Sequence, residues 1–273
     1  MKFNYILICA LIFLNFNSFA QKQNSLKPFI IGQIETIESK VLKETRALNI
    51  YLPEGYTPDS SKTYPVIYLL DGSANEDFIH VAGLVQFLTM IDAMPKSILV
   101  GIANVDRKRD FTFPTSVKAD LKDFPTTGKS ENFISFIEQE LQPFIQKKYR
   151  TNASNTIIGQ SLGGLLATEI LLKKPQLFTN YMIVSPSLWW NNESLLSEAT
   201  KYLENTLTKE TNVYITVGTE GKQMENDAKK FAEILQSHKN LKIYFAPLPE
   251  ENHLTILHNG LYKGFGILYP EKK

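Results

Sequence analysis

The chain is poor in the groups that build disulfide frameworks and metal centres, with one cysteine and four histidines in 273 residues. Cys9 lies inside an apolar N-terminal run and follows Ile8, not a small residue, which argues against a lipid-anchored cysteine. Beyond that run there is no thiol, so disulfides and thiol chemistry are excluded and stability must come from a packed core. No histidine and carboxylate spacing of a zinc site occurs, and no glycine-rich phosphate loop, so no metal and no cofactor are expected. A dominant charge is missing as well: 29 basic and 28 acidic side chains leave a net charge of +1. No global field then draws the protein to nucleic acid or an anionic membrane, and a small molecule or neutral polymer fits better as substrate. Internal repeats and low-complexity linkers are absent.

What is present begins with Lys2, an apolar run from Tyr5 to Phe19, and the small-x-small pattern Ser18-Phe19-Ala20 before Gln21. Residues 1–20 read as a secretory signal peptide, because the run is short for a membrane span and is broken by Asn15 and Asn17. A secreted or periplasmic protein with no membrane span in its mature chain is expected. The remaining residues, 21–273, can bury one substantial core in a single α/β domain. Alternating segments between Pro28 and Pro53 suggest an antiparallel hairpin at a sheet edge. Pro65–Leu70 and Lys96–Ile102 read as strands buried on both faces, and Phe178–Val184, Asn212–Val217 and Leu241–Phe245 continue the series. Helical stretches are expected at Glu76–Met90, Glu131–Tyr149 (with Pro143 kinking it), Glu193–Leu207, Met224–Ser237 and after His253. Such alternation calls for a mostly parallel central sheet with helices on both faces. The polar segment Asn104–Lys129 reads as a long loop, and a loop of that length in a compact domain is usually either functional or mobile.

Ile157-Ile158-Gly159-Gln160-Ser161-Leu162-Gly163-Gly164 organises the rest: an apolar strand, a Gly-x-Ser-x-Gly pentad, then a helix. The pattern resembles the nucleophile elbow of α/β-hydrolases. A serine on so tight a turn needs neighbours without a Cβ, which Gly159 and Gly163 supply. The turn offers Ser161 Oγ for attack and sets the Leu162 amide at a helix N-terminus, where it can donate to an oxyanion.

A serine hydroxyl needs a base and a group that orients the base, and in these hydrolases the three follow in the order serine, acid, histidine. His253, on the loop after the last strand, is the expected base, with His258 in reserve. Glu220, after the strand ending at Val217, is the expected acid, with Glu225 and Asp227 as alternatives. The second oxyanion donor is expected from the backbone of Gly72 or Ser73.

At whole-chain level the sequence resembles the branch of the α/β-hydrolases that contains esterase D-like enzymes and the siderophore esterases. The likeness rests on Tyr64–Gly72, on Asn104–Thr112, on the elbow, on Ser185-Pro186-Ser187-Leu188-Trp189-Trp190 and on His253. It implies an α/β-hydrolase fold and a serine carboxylic-ester hydrolase with Ser161 as nucleophile and His253 as base. Gln160 stands where histidine or tyrosine is common in relatives. Arg107, Arg109, Trp189 and Trp190 are expected to line the substrate pocket. A siderophore ester, an acylated carbohydrate and a simple short acyl ester all fit as substrates. Acyl transfer on the same acyl-enzyme, or a non-catalytic binding protein of this fold, are the alternatives; oligomeric state is left open.

Overall fold

The uninterrupted apolar runs form the middle of one eight-stranded sheet in the computed structural model, which describes residues 26–203 and 209–270. The strands are β1 (Gln33–Ser39), β2 (Glu44–Tyr51), β3 (Tyr64–Leu69), β4 (Ile98–Ile102), β5 (Thr151–Gln160), β6 (Asn180–Val184), β7 (Thr211–Thr216) and β8 (Leu241–Phe245). Their order across the sheet is β1-β2-β4-β3-β5-β6-β7-β8. β2 runs antiparallel to β1 and β4, and every other neighbouring pair is parallel. This is the α/β-hydrolase fold, a mostly parallel sheet with an antiparallel N-terminal edge.

The central strands are apolar at consecutive positions because each face of the sheet has its own core. Val66, Tyr68, Ile157, Tyr181, Ile183, Val213 and Ile215 point to one face. Their neighbours Ile67, Leu69, Ile158, Met182, Val184 and Tyr214 point to the other. Each such aliphatic side chain contributes about 1.5–3 kcal/mol by leaving water. The first face is covered by helices that include Leu162–Lys173 and Lys222–Gln236, the second by Phe78–Met90 and Ile256–Leu268. In Leu162–Lys173 every residue except Lys173 is buried, which explains an apolar stretch with no polar stripe.

Local order departs from the sequence expectation in three places. The segment Asn104–Lys129 contains two short helices, Arg107–Phe111 and Lys118–Asp123, the first capped by Asp106, which accepts from the Arg109 amide at 3.0 Å. The Glu131–Tyr149 stretch divides into Ser130–Phe136, a π-helical turn Ile137–Leu141, and Gln142–Lys148. Pro143 has no N–H to continue the ladder, and the Gln142 amide reaches back five residues to Ile137 O. The helix expected at Glu193–Leu207 is instead Trp190–Ser197 and Ala199–Leu203, with Asn191, Asn192 and Glu193 in left-handed conformation (φ 51°, 53° and 58°).

Ile31 opens the compact unit that holds the sheet; residues 26–30 before it have no regular secondary structure. The segment read as a signal peptide lies outside the described residues, as does the end of the Glu193–Leu207 stretch. Among the described residues no helix is long and apolar enough to cross a membrane.

Candidate active site

β5 ends at Gln160 and a helix begins at Leu162, so the whole change of direction falls on Ser161, which adopts φ 58° and ψ −119°. Few side chains tolerate that backbone region, and it persists here because both ends are fixed. The Ser161 amide donates to Val184 O on β6 at 3.1 Å, and its carbonyl accepts from the Leu165 amide at 2.9 Å. Leu162 occupies the first helical position, whose amide has no acceptor within the helix and is free to bind an anion.

The acid and base sit on the loops that follow β7 and β8. His253 Nδ1 lies 2.5 Å from Glu220 Oε2. A carboxylate only accepts, so Nδ1 carries the proton and Nε2 is left as the acceptor. The Glu220 carboxylate is 2% exposed. Its other oxygen accepts from the Ser185 hydroxyl and from the Gly218 amide, the latter at 3.0 Å. Burial pushes its pKa up, but the bonds from His253, Ser185 and Gly218 outweigh burial and hold it below the ordinary value. The two loops are tied together where the Thr219 amide donates to Glu251 O at 2.8 Å. Gln160 Nε2 donates to the His253 carbonyl at 2.5 Å, joining the base loop to the elbow.

The reserve candidates are occupied elsewhere. Glu225 accepts from the Glu220 and Gly221 amides at 2.9 and 3.0 Å, and so braces the acid loop. Asp227 is buried on the inner face of helix Lys222–Gln236. His258 faces His80, with their Nδ1 atoms 3.3 Å apart, and burial followed by the His80 charge lowers its pKa.

Ser161, Glu220 and His253 border one cavity of about 400 Å³, together with Ser187, Trp189, Thr219, Met224 and Asn252. Ser161 Oγ is 3.3 Å from Ser187 Oγ. Trp189 is where the sequence places it, but four other expectations need correction. Trp190 is fully buried and does not reach the cavity: its Nε1 donates to Phe113 O at 2.9 Å and its ring meets Phe124 edge-on. Arg109 is held by Glu44 at 2.7 Å and Asp110 at 2.7 Å in a buried ion-pair cluster that also takes in Arg46. Gly72 has no amide to offer an oxyanion, since its N–H completes a sheet bond to Ile102 O at 3.0 Å. Ser73, the other residue of that candidate region, gives its amide to Glu76 Oε2 at the longer distance of 3.2 Å. Arg107 is forked onto Asp71 at 2.6 and 2.8 Å, with Nη2 3.3 Å from Gln160 O at the end of the elbow strand. It does not line the cavity.

A family model described as putative esterase matches residues 39–255. The chain belongs to this esterase family. Among curated relatives, the ferri-bacillibactin esterase BesA of Bacillus subtilis is 30% identical over 241 residues, covering 78% of this chain and 82% of the relative. Among solved structures, an IroE-like serine hydrolase from Shewanella oneidensis is 33% identical with a TM-score of 0.80, covering 87% of this chain and 80% of its own. The BES protein from Bacillus cereus is 33% identical with a TM-score of 0.76, covering 88% and 96%.

In this esterase the cavity residues that sequence reasoning missed are Ser187, Thr219, Met224 and Asn252. Ser187 stands inside the Ser-Pro-Ser-Leu-Trp-Trp segment that carries the family likeness, so the signal for it was present. Thr219 and Asn252 each adjoin a candidate triad residue, and a loop carrying a reactive group presents its neighbours to the same space. Met224 had no such marker, because a methionine near a helix start reads equally well as core.

Proposed function

We propose that this esterase is a secreted or periplasmic serine hydrolase that cleaves a siderophore ester through an acyl-enzyme on Ser161. The observation that carries the reading is the Glu220–His253 pair, bonded at 2.5 Å, facing the same cavity as a serine on a strained elbow. Similarity to a ferri-bacillibactin esterase over most of both chains supports the substrate class. The apolar run and Ser18-Phe19-Ala20 pattern at the N-terminus support export.

Ser161 Oγ attacks the ester carbonyl as His253 Nε2 removes its proton. Glu220 stabilises the resulting imidazolium without itself taking a proton. The Leu162 amide receives the oxyanion. His253 then protonates the departing alkoxide, and the acyl group stays on Ser161 until water, activated by the same imidazole, releases it. Trp189 and Met224 offer an apolar wall to one side of the ester, and Thr219 and Asn252 supply polar contacts.

The test uses the full-length gene expressed with its leader. Exported protein is expected to begin at Gln21 and to hydrolyse ferri-bacillibactin faster than acetylated or feruloylated xylan. Ser161→Ala is expected to lose about 10⁴-fold or more in kcat/KM. Retention of most of the rate by Ser161→Ala overturns the nucleophile assignment, preference for xylan esters overturns the substrate class, and a retained leader overturns export.

A further inference from the structure

Ser187 is the hydroxyl nearest the proposed nucleophile, and neither the triad nor the oxyanion site uses it. Its side chain is fixed by its surroundings: Ser187 is 2% exposed, its amide donates to the Ser161 carbonyl at 3.0 Å, and Pro186 precedes it. Its Oγ lies 3.3 Å from Ser161 Oγ, the hydrogen-bond contact recorded for that hydroxyl. Either oxygen could donate in isolation, but the proton inventory of the site decides between them. Glu220 fixes the His253 proton on Nδ1, so Nε2 is an acceptor and the Ser161 proton must point to it for attack. Ser161 Oγ then has only lone pairs to offer Ser187, and Ser187 is the donor.

We infer that Ser187 is a further catalytic residue, donating a hydrogen bond to Ser161 Oγ that strengthens as this oxygen leaves during deacylation. The inference rests on the reading of Ser161 as the nucleophile. In the acyl-enzyme, Ser161 Oγ is an ester oxygen and a weak acceptor. In deacylation water adds to the acyl carbon, the C–Oγ bond breaks, and the electron pair returns to Oγ. The His253 imidazolium gives that oxygen its proton, while Ser187 keeps its own and only stabilises the negative charge that builds first. In acylation the starting hydroxyl already accepts the Ser187 bond, so less is gained on going to the transition state. The donor therefore favours the second half-reaction over the first.

Stopped-flow hydrolysis of p-nitrophenyl butyrate, with intact-protein mass spectrometry of the reacting enzyme, separates the two half-reactions. Ser187→Ala is expected to acylate within about threefold of wild type and to deacylate about 10- to 100-fold more slowly. The acyl adduct on Ser161 then accumulates, and Ser187→Thr, which keeps the hydroxyl, restores turnover. Fluorophosphonate labelling at the wild-type extent shows that the variant is folded with a competent nucleophile. Should Ser187→Ala not fold, Ser187→Cys keeps the volume with a weaker donor and must show the same split. Equal slowing of both steps, or of neither, overturns the role of Ser187 and leaves the nucleophile assignment standing. Wild-type turnover that does not depend on Ser161 removes the nucleophile assignment and the inference together.

Discussion

Glu220 owes its ionised state to groups outside its own side chain. Burial alone would push the carboxyl up, and it is held below its ordinary value by His253, Ser185 and the Gly218 amide. A carboxyl lowered on folding contributes stability that is present above its unfolded value and is lost as pH falls through the folded one. Ser185→Ala removes the side-chain donor to one carboxylate oxygen. Its melting temperature is therefore expected to fall below wild type at neutral pH, by the equivalent of about 1 kcal/mol, and the gap to close on acidification below about pH 4. A gap equally wide on both sides would show that Ser185 acts through packing and not through the carboxylate. At this scale the triad candidates were legible because topology fixes their place: the loops after β7 and β8 must open on the same end of the sheet as the elbow. Arg109 and Trp190 were not, because their partners Glu44 and Phe113 are tertiary neighbours that no spacing in the sequence announces.

The elbow as an element shows how a motif can be read correctly for a partly wrong reason. Both glycines of the pentad were expected to be steric requirements. A Cβ on Gly159 would lie 2.3 Å from the Gly163 carbonyl oxygen, an impossible approach between two backbone segments. A Cβ on Gly163 meets nothing closer than Asp71 Oδ2 at 3.4 Å, which is ordinary contact. The next tight position is Gly164, 2.9 Å from the Pro186 Cα and outside the pentad. Gly159→Ala is thus expected to destabilise the fold by about 3 kcal/mol or more and to abolish activity, because the helix must move off β5. Gly163→Ala is expected to fold and to stay within about 1 kcal/mol of wild type, since alanine also favours the helix. Denaturant melts of the two variants decide it, and similar losses in both would reject the steric account. The strands were legible for a related reason: continuous apolar runs have a single explanation in a sheet covered on both faces. The π-helical turn and the left-handed Asn191–Glu193 segment were not, because they arise from a missing proline amide and from contacts to Asp120 and Thr115 across the chain.

For the whole molecule, the response of stability to pH is a sum of groups pulling in opposite directions. Glu44, Glu76 and Glu220 are each pushed up by burial, yet their arginine, asparagine, serine, histidine and backbone partners hold them below the ordinary carboxylate value. These favour the folded state at neutral pH. Asp227 does the reverse. Burial first, then the nearby Glu193 charge, raise its carboxyl to about 6, against a smaller opposing effect of Lys230. Its Oδ2 is buried with no hydrogen-bond partner. The folded state consequently binds this proton more tightly than the unfolded chain does, and stability contributed here falls as pH rises from about 4 to about 6 and stays lower above that. Asp227→Asn removes the charge and keeps the shape. Allowing for relaxation of the helix toward solvent, the variant is expected to exceed wild type by on the order of 1 kcal/mol, or about 3 °C in Tm, at pH 7.5. Near pH 4.5, where Asp227 is already protonated in the folded protein, the advantage is expected to shrink markedly. Thermal melts of both proteins across this range test it, and an advantage that grew on acidification would mean that the carboxylate is stabilised in the fold.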